Sequence, residues 1–115
     1  MSWTLDLDAT RERLLAERTR TRASIADDRI VAPGPMTYGS QAAAASQVFE
    51  QQRDLALREK EEQHLEAVQA ALARLDAGTY GECTACGTQI PAERLEALPW
   101  AAFCIECQRL EVRRR

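Results

Sequence analysis

Apolar residues recur with helical spacing along the first part of the chain. They predict a first helix from Leu5 to about Arg29, with Asp6 or Asp8 able to cap its start. The apolar side of this predicted helix is marked by Leu7, Leu14 and Ile25. The next segment, "VAPGPMTYGS" at residues 31–40, has two prolines and two glycines, which stop any helix.

A second helix is predicted from about Gln41 to Ala77. Ser40 is its expected N-cap, and Gly78 stands where a glycine commonly ends a helix. At a rise of about 1.5 Å per residue this helix is roughly 55 Å long. A helix of that length needs a partner, and the first helix is the only candidate in the sequence.

The second helix shows an apolar seam at both of its ends. Val48 and Leu55 are seven residues apart, and a 3-4-3 spacing follows at Leu65, Val68, Leu72 and Leu75. The all-polar stretch "REKEEQH" between them is interpreted as a solvated middle. The pattern predicts an antiparallel coiled-coil hairpin with an exposed loop at its tip. Its packed base lies near the cysteines, and three aromatic residues are expected to join it: Trp3, Trp100 and Phe103.

Composition limits the core and the partners. Alanine supplies 20 of the 115 residues and only six are aromatic, so a thick globular core is not expected. The net charge of −3 and the single dense basic run at residues 113–115 argue against specific DNA binding. No signal peptide or apolar run of about 20 residues is visible, which favours a cytoplasmic protein without a membrane partner. Thiols stay reduced in that compartment.

All four cysteines lie near one end, in the pattern C-x2-C-x17-C-x2-C formed by Cys83, Cys86, Cys104 and Cys107. This spacing is typical of a four-cysteine zinc site, because each pair can offer two thiolates to one tetrahedral ion. Gly87 allows the first turn, and the second pair opens a predicted short helix, "CIECQRLEV". Four protein ligands leave no open position, so the sequence predicts one structural Zn²⁺ and no enzyme. A Cys-x-x-Cys redox motif and an iron–sulfur cluster remain alternatives.

The stretch "YGECTACGTQIPAERLEALPWAAFCIECQ" resembles the zinc finger of the DksA/TraR family. The matching residues are Tyr80, Gly81, Cys83, Cys86, Gly87, Ile90, Arg94, Leu95, Ala97, Pro99, Cys104 and Cys107. "FEQQRDLAL", residues 49–57, is similar to the family's second coiled-coil helix. The resemblance implies a mainly α fold, with a helical hairpin at residues 1–78 and a C4 zinc finger with a C-terminal helix at 79–115. It also implies a bacterial transcription regulator whose coiled coil enters the secondary channel of RNA polymerase.

The sequence departs from this family at the tip of the hairpin. The family motif Asp-x-x-Asp-x-Ala falls on Ser40, Ala43 and Ala45, so the alanine is kept and both aspartates are missing. Asp27 and Asp28, at the end of the first helix, are candidates for a displaced acid pair or for tolerated surface charges. The altered tip suggests an altered effect on the polymerase.

The family's contacts to the nucleotide ppGpp fall on Lys60, His64 and Ala67, and only one basic residue survives there. A single histidine on a helix is usually a surface residue, so ppGpp binding is not predicted. Trp100 is interpreted as a packing residue, and Arg94 as a cation that neutralises the zinc–thiolate cluster. Two other functions stay open: an adaptor that docks on another protein, and a nucleic-acid-binding zinc module that uses the arginine tail.

Overall fold

The computed structural model describes residues 5–27 and 41–114, with side chains from residue 44 in the second range. Its four helices are α1 (Leu7–Asp27), α2 (Gln41–Ala77), α3 (Ala92–Ala97) and α4 (Ile105–Arg114). Helices α1 and α2 run antiparallel: Arg11 bonds Asp76 over 2.7 Å near one end, and Ser24 bonds Glu61 over 2.9 Å farther along. The mainly α hairpin fold is therefore confirmed.

The start of α1 follows the predicted capping chemistry. Oδ1 of Asp6 accepts hydrogen bonds from the backbone N–H groups of Asp8 at 3.0 Å and Ala9 at 3.2 Å. Asp6, the first of the two proposed residues, is thus the N-cap. The predicted end of this helix at Arg29 lies outside the described residues.

The bounds predicted for α2 are confirmed, and Gly78 ends it in a Schellman motif. The N–H of Gly78 donates to the Leu75 carbonyl at 3.3 Å, and that of Thr79 donates to the Arg74 carbonyl at 2.9 Å. Gly78 has φ +80°, a conformation that glycine adopts without the steric cost of a Cβ atom. Its predicted N-cap, Ser40, lies outside the described residues.

The packed base of the hairpin carries the hydrophobic core. Leu14 of α1 is buried with Val68, Ala71 and Leu72 of α2. The same cluster continues into the cysteine-bearing segment through five further buried residues: Tyr80, Cys83, Ile90, Leu95 and Ala101. Trp100 and Phe103 pack against it, as predicted, whereas Trp3 lies outside the described residues. One core therefore joins the hairpin to the cysteines.

The apolar side predicted for α1 was partly wrong. Leu14 is fully buried and Ile25 is half-buried, but Leu7 is 43% exposed. The other buried positions of α1 are Thr10 and Thr21, whose hydroxyls donate to the carbonyls of Asp6 and Glu17 four residues earlier. The hydroxyls are satisfied within the helix itself, so threonine can occupy the interface without a large polar cost.

The seam predicted for the first half of α2 was also wrong. Val48 and Leu55 are each 47% exposed. The 3-4 spacing of the base instead continues through Glu61, Arg58, Asp54, Gln51, Gln47 and Ala44. Gln47 and Asp54 each stand one position before a predicted seam residue, Val48 and Leu55. Five of these six residues are half-buried, and Asp54 is exposed. The stretch interpreted as a solvated middle therefore turns three polar residues partly inward, because His64 is half-buried as well.

The rest of the chain forms short elements around the cysteines. Helix α3 was not predicted from the sequence: it is a short helix of six residues that follows Pro91 and buries Leu95 in the core. The short helix predicted to open at the second cysteine pair is confirmed as α4. Among the residues that the structure describes, no helix is both long and apolar enough to cross a membrane.

Candidate metal centre

The first cysteine pair lies in a tight turn directly after α2. The N–H of Cys83 donates to the Thr88 carbonyl at 2.8 Å, and the N–H of Gly87 donates to the Cys83 carbonyl at 2.9 Å. Gly87 has φ +79°, as the sequence led us to expect for this turn. Together these bonds fold the chain back, so that Cys83 and Cys86 present their sulfurs to one point.

The second pair is carried by the start of α4. Cys104 immediately precedes this helix and Cys107 lies in its first turn, where the N–H of Gln108 donates to the Cys104 carbonyl at 2.9 Å. The N–H of Thr84 donates to the Ala102 carbonyl at 2.9 Å and ties the two cysteine segments together.

Arg94 was interpreted from the sequence as a counter-charge for the thiolates. Its Nε donates to the Phe103 carbonyl at 3.1 Å. The guanidinium therefore holds the backbone next to Cys104, in addition to any effect of its charge.

The four sulfurs have the spacing of a tetrahedral site. All four lie within 4.8 Å of one another, and the sulfurs of Cys86 and Cys104 are 3.8 Å apart. Tetrahedral zinc with Zn–S distances of about 2.3 Å places neighbouring sulfurs roughly 3.8 Å apart. A disulfide needs about 2.05 Å, and all four cysteines are free thiols. The donor set fits one structural zinc ion.

The hydrogen bonds of the thiols favour a negative charge on the first pair. Burial raises the pKa of Cys83, but bonds from backbone N–H groups, those of Cys104 and Cys86 foremost, bring it down to about 6. The hydroxyl of Thr88 lowers the pKa of Cys86. Hydrogen bonds with the other three thiols, Cys104 foremost, raise the pKa of Cys107. The turn that carries Cys83 and Cys86 therefore supplies thiolate, the form that binds a metal.

Two polar contacts fix this cysteine-bearing segment to the base of the hairpin. The hydroxyl of Tyr80 donates to the Pro99 carbonyl at 2.8 Å, and burial raises the pKa of Tyr80 to about 12. Nη2 of Arg74, in the last turn of α2, approaches the Ala101 carbonyl at 3.4 Å. Both bonds hold the chain between Pro99 and Ala101 against the end of α2.

A polar cluster between the two helices and this same strip of chain was missed by the sequence interpretation. Nε2 of His64 lies 2.9 Å from Oε1 of Glu17. The imidazole ring of His64 packs edge to face against the indole of Trp100. Arg20 donates to the other carboxylate oxygen of Glu17. The expectation that His64 is an ordinary surface residue was therefore wrong, and Trp100 packs as predicted. The sequence gives no signal that links Glu17, His64 and Trp100. Its one relevant feature is that His64 lies three residues from Glu61 and four from Val68, which is the spacing of one helix face.

The predicted tip residues are only partly described. Asp27 is exposed at the last residue of α1, and Ala45 is exposed near the start of α2. Ala43 lies within α2, but its side chain is outside the described part, as are Asp28 and Ser40. These five positions stay a prediction from the sequence.

Comparisons with known proteins agree with the cysteine geometry. Residues 78–113 match the model of the prokaryotic dksA/traR C4-type zinc finger. Over 110 residues, which are 95% of this chain, it is 34% identical to the RNA polymerase-binding transcription factor DksA of Haemophilus influenzae, covering 72% of that protein. The corresponding protein of Escherichia coli is 31% identical over 110 residues, with 69% of its length covered.

The similarity extends to three dimensions. The structure of transcription factor DksA2 from Pseudomonas aeruginosa matches with a TM-score of 0.72 at 31% identity, covering 93% of this chain and 83% of that one. Since nearly the whole chain is matched, the likeness includes the helical hairpin as well as the cysteine-bearing segment.

Proposed function

This chain belongs to the DksA/TraR family of C4-type zinc-finger proteins, and we propose that it regulates transcription by binding RNA polymerase through its helical hairpin. The observation that carries this proposal is the 34% identity to an RNA polymerase-binding factor over 95% of the chain. A likeness restricted to the zinc finger would support only a shared metal site. Here it also includes α1 and α2, the elements proposed to make the contact.

The metal has a structural part in this proposal, with Cys83, Cys86, Cys104 and Cys107 as its four ligands. A bound Zn²⁺ would neutralise thiolate charge and cross-link the turn after α2 to the start of α4. Cys83 belongs to the buried cluster that includes Leu14 and Val68, so the cross-link acts directly on the base of the hairpin. The site would leave no position for a substrate, which fits relatives that are transcription factors.

We propose that the hairpin enters the secondary channel of polymerase and acts without sequence-specific DNA contacts in the cytoplasm. With 37 residues, α2 is about 55 Å long, enough to carry its far end well away from the zinc finger. The proposed tip contacts are Asp27, Asp28, Ser40, Ala43 and Ala45. Ser40 and Ala43 stand where the family carries aspartates, so the protein would occupy the channel with a changed effect on the active site.

We also propose that this protein does not respond to ppGpp through Lys60, His64 and Ala67. The imidazole of His64 is already engaged by Glu17 and Trp100. Equal polymerase affinity and equal promoter output with and without ppGpp would agree with this proposal, and a ppGpp-dependent change that His64→Ala abolishes would contradict it.

The test of polymerase binding is a titration of fluorescently labelled, zinc-loaded protein with RNA polymerase core from the same bacterium. Saturable binding that an established secondary-channel factor displaces is the expected result. Absence of binding at micromolar polymerase, with one zinc per chain verified, would remove this function and favour an adaptor that docks on another protein. Binding to bare DNA that collapses with modest salt would instead indicate the nucleic-acid module.

The role of the tip needs a separate experiment. The pair Ser40→Asp and Ala43→Asp should strengthen the effect on promoter output while leaving polymerase affinity within a few-fold of the parent. A matched control carries Ser40→Asn and Ala43→Asn, which adds polar side chains of similar size without charge. Unchanged output from the aspartate pair, at unchanged binding, would show that acidity at these positions is not what distinguishes this protein.

A further inference from the structure

The two halves of α2 differ in how they are held to the molecule. At the base, the inward positions of the 3-4 spacing are Leu65, Val68, Leu72 and Leu75; Val68 and Leu72 are buried and the other two are half-buried. Between residues 44 and 67 no side chain is buried. The first half of α2 therefore lacks the apolar contacts that hold the second half.

The inward positions of that first half are polar or small. Following the same spacing from Leu65, they are Glu61, Arg58, Asp54, Gln51, Gln47 and Ala44. Asp54 is exposed, and the other five are only half-buried. Oε2 of Glu61 is buried without a hydrogen-bond partner among the described residues, which costs free energy and does not stabilise the interface.

The apolar residues of this half point outward instead. Val48 and Leu55 are 47% exposed, Leu57 is 50% exposed and Phe49 is 76% exposed. Among the described residues, the polar contacts of this part of α2 include an exposed bond from Ser24 to Glu61 and an ion pair within α2 between Arg58 and Glu62 at 3.3 Å. Exposed pairs of this kind contribute little to stability.

We infer that α2 is stabilised in two zones, and that its distal segment, residues 44–58, opens locally while the base of the hairpin stays folded. The alanine-rich start favours helix, but an isolated helix of this length is marginal in water, so the segment depends on contacts that the polar seam supplies poorly. Free energies of local opening follow the buried apolar contacts of a segment. The distal segment is therefore less stable against local unfolding than the base of the hairpin.

The test is hydrogen exchange of backbone amides in the zinc-loaded full-length chain. Amides of residues 47–57 are expected to exchange at least about 100-fold faster than those of residues 68–75, after correction for intrinsic rates. Uniform protection along α2 would overturn the inference, because it would show that the whole helix opens only with the global unfolding of the protein.

A matched pair of variants tests the cause. Gln51→Leu adds an apolar side chain at an inward position, and Gln52→Leu makes the same change at the neighbouring exposed position. Helix propensity changes equally in both, so only burial differs. Gln51→Leu should slow exchange in the distal segment about fivefold or more, and Gln52→Leu should leave it nearly unchanged. Equal effects of the two variants would contradict the polar seam as the cause.

Discussion

The imidazole of His64 meets the indole of Trp100 edge to face, with ring centroids 4.5 Å apart and an interplanar angle of 88°. His64 belongs to α2, and Trp100 lies in the strip of chain just before the second cysteine pair. The same imidazole is bonded to Glu17 of α1. This side chain of α2 therefore contacts two other parts of the fold, and it links the zinc-bearing end to both helices of the hairpin.

This contact predicts a measurable coupling between His64 and Trp100. Edge-to-face pairs contribute about 0.5–1.5 kcal/mol beyond the area they bury. A double-mutant cycle with His64→Ala and Trp100→Leu, followed by urea unfolding of the zinc-loaded protein, should give a coupling energy in that range. A parallel cycle with the exposed Gln63→Ala in place of His64→Ala should give none. Additive effects in the first cycle would show that the two rings are neighbours without an energetic link.

Glu17 predicts a dependence on pH. Hydrogen bonds from Arg20, and then from His64, lower the pKa of this carboxyl below its ordinary value of 4.5. A lowered native pKa stabilises the fold above the unfolded pKa, and that contribution is lost as the pH falls through the native pKa. The stability difference between the parent and Glu17→Gln should therefore shrink as the pH is lowered below about 4.5. Protonation of the thiolates affects both proteins, so it cancels in this difference.

The same carboxyl can be followed directly by an NMR titration. Arg20→Gln should move the pKa of Glu17 back toward its ordinary value, because it removes the hydrogen bond that lowers this pKa most. Arg22→Gln is the control, since it removes a nearby exposed cation, whereas the hydrogen bonds to Glu17 come from Arg20 and His64. A Glu17 pKa that does not change in either variant would contradict the hydrogen bond as the cause.

Removal of the metal should unfold the end of the molecule that carries the cysteines. Zinc contributes about 10–16 kcal/mol to the folding of zinc-finger peptides, and here Cys83 is part of the shared core. A strong chelator is expected to abolish the near-ultraviolet signal of Trp100 in a Trp3→Phe background. Helical signal from α2 should fall only in part. Retention of the full Trp100 signal in metal-free protein would show that the core stands without the ion.

Leu14 and Leu7 offer a matched comparison within α1. The sequence pattern assigned both to the same apolar side, but Leu14 is fully buried and Leu7 is 43% exposed. Leu14→Ala should lower the free energy of unfolding by about 2–5 kcal/mol, because it leaves a cavity in the core. Leu7→Ala should change it by about 0.5 kcal/mol or less. If chemical denaturation gave similar losses in the free energy of unfolding for both variants, Leu7 and Leu14 would lie on the same packed side of α1, as the sequence predicts.

Local chemistry explains what the sequence determined by itself. The bounds of α2 follow from an alanine-rich start and from Gly78 at the end. A glycine ends a helix through its own backbone freedom, so this bound does not depend on tertiary contacts. The zinc site follows from cysteine spacing, because two residues between ligands suit one tight turn. Resemblance over this motif then gave the family, which the matched relatives confirm.

Tertiary structure decided which residues face one another. The seam of a hairpin depends on the rotation of each helix about its own axis. A one-position shift leaves Val48 and Leu55 exposed and puts Gln47 and Asp54 at the positions that continue the spacing of the base. The first half of α2 has too few large apolar residues at inward positions to fix that rotation. Packing at the base therefore sets the rotation of the whole helix. The contacts of His64 arise in the same way, since Glu17 and Trp100 reach it only when both helices and the zinc-bearing end pack on one core.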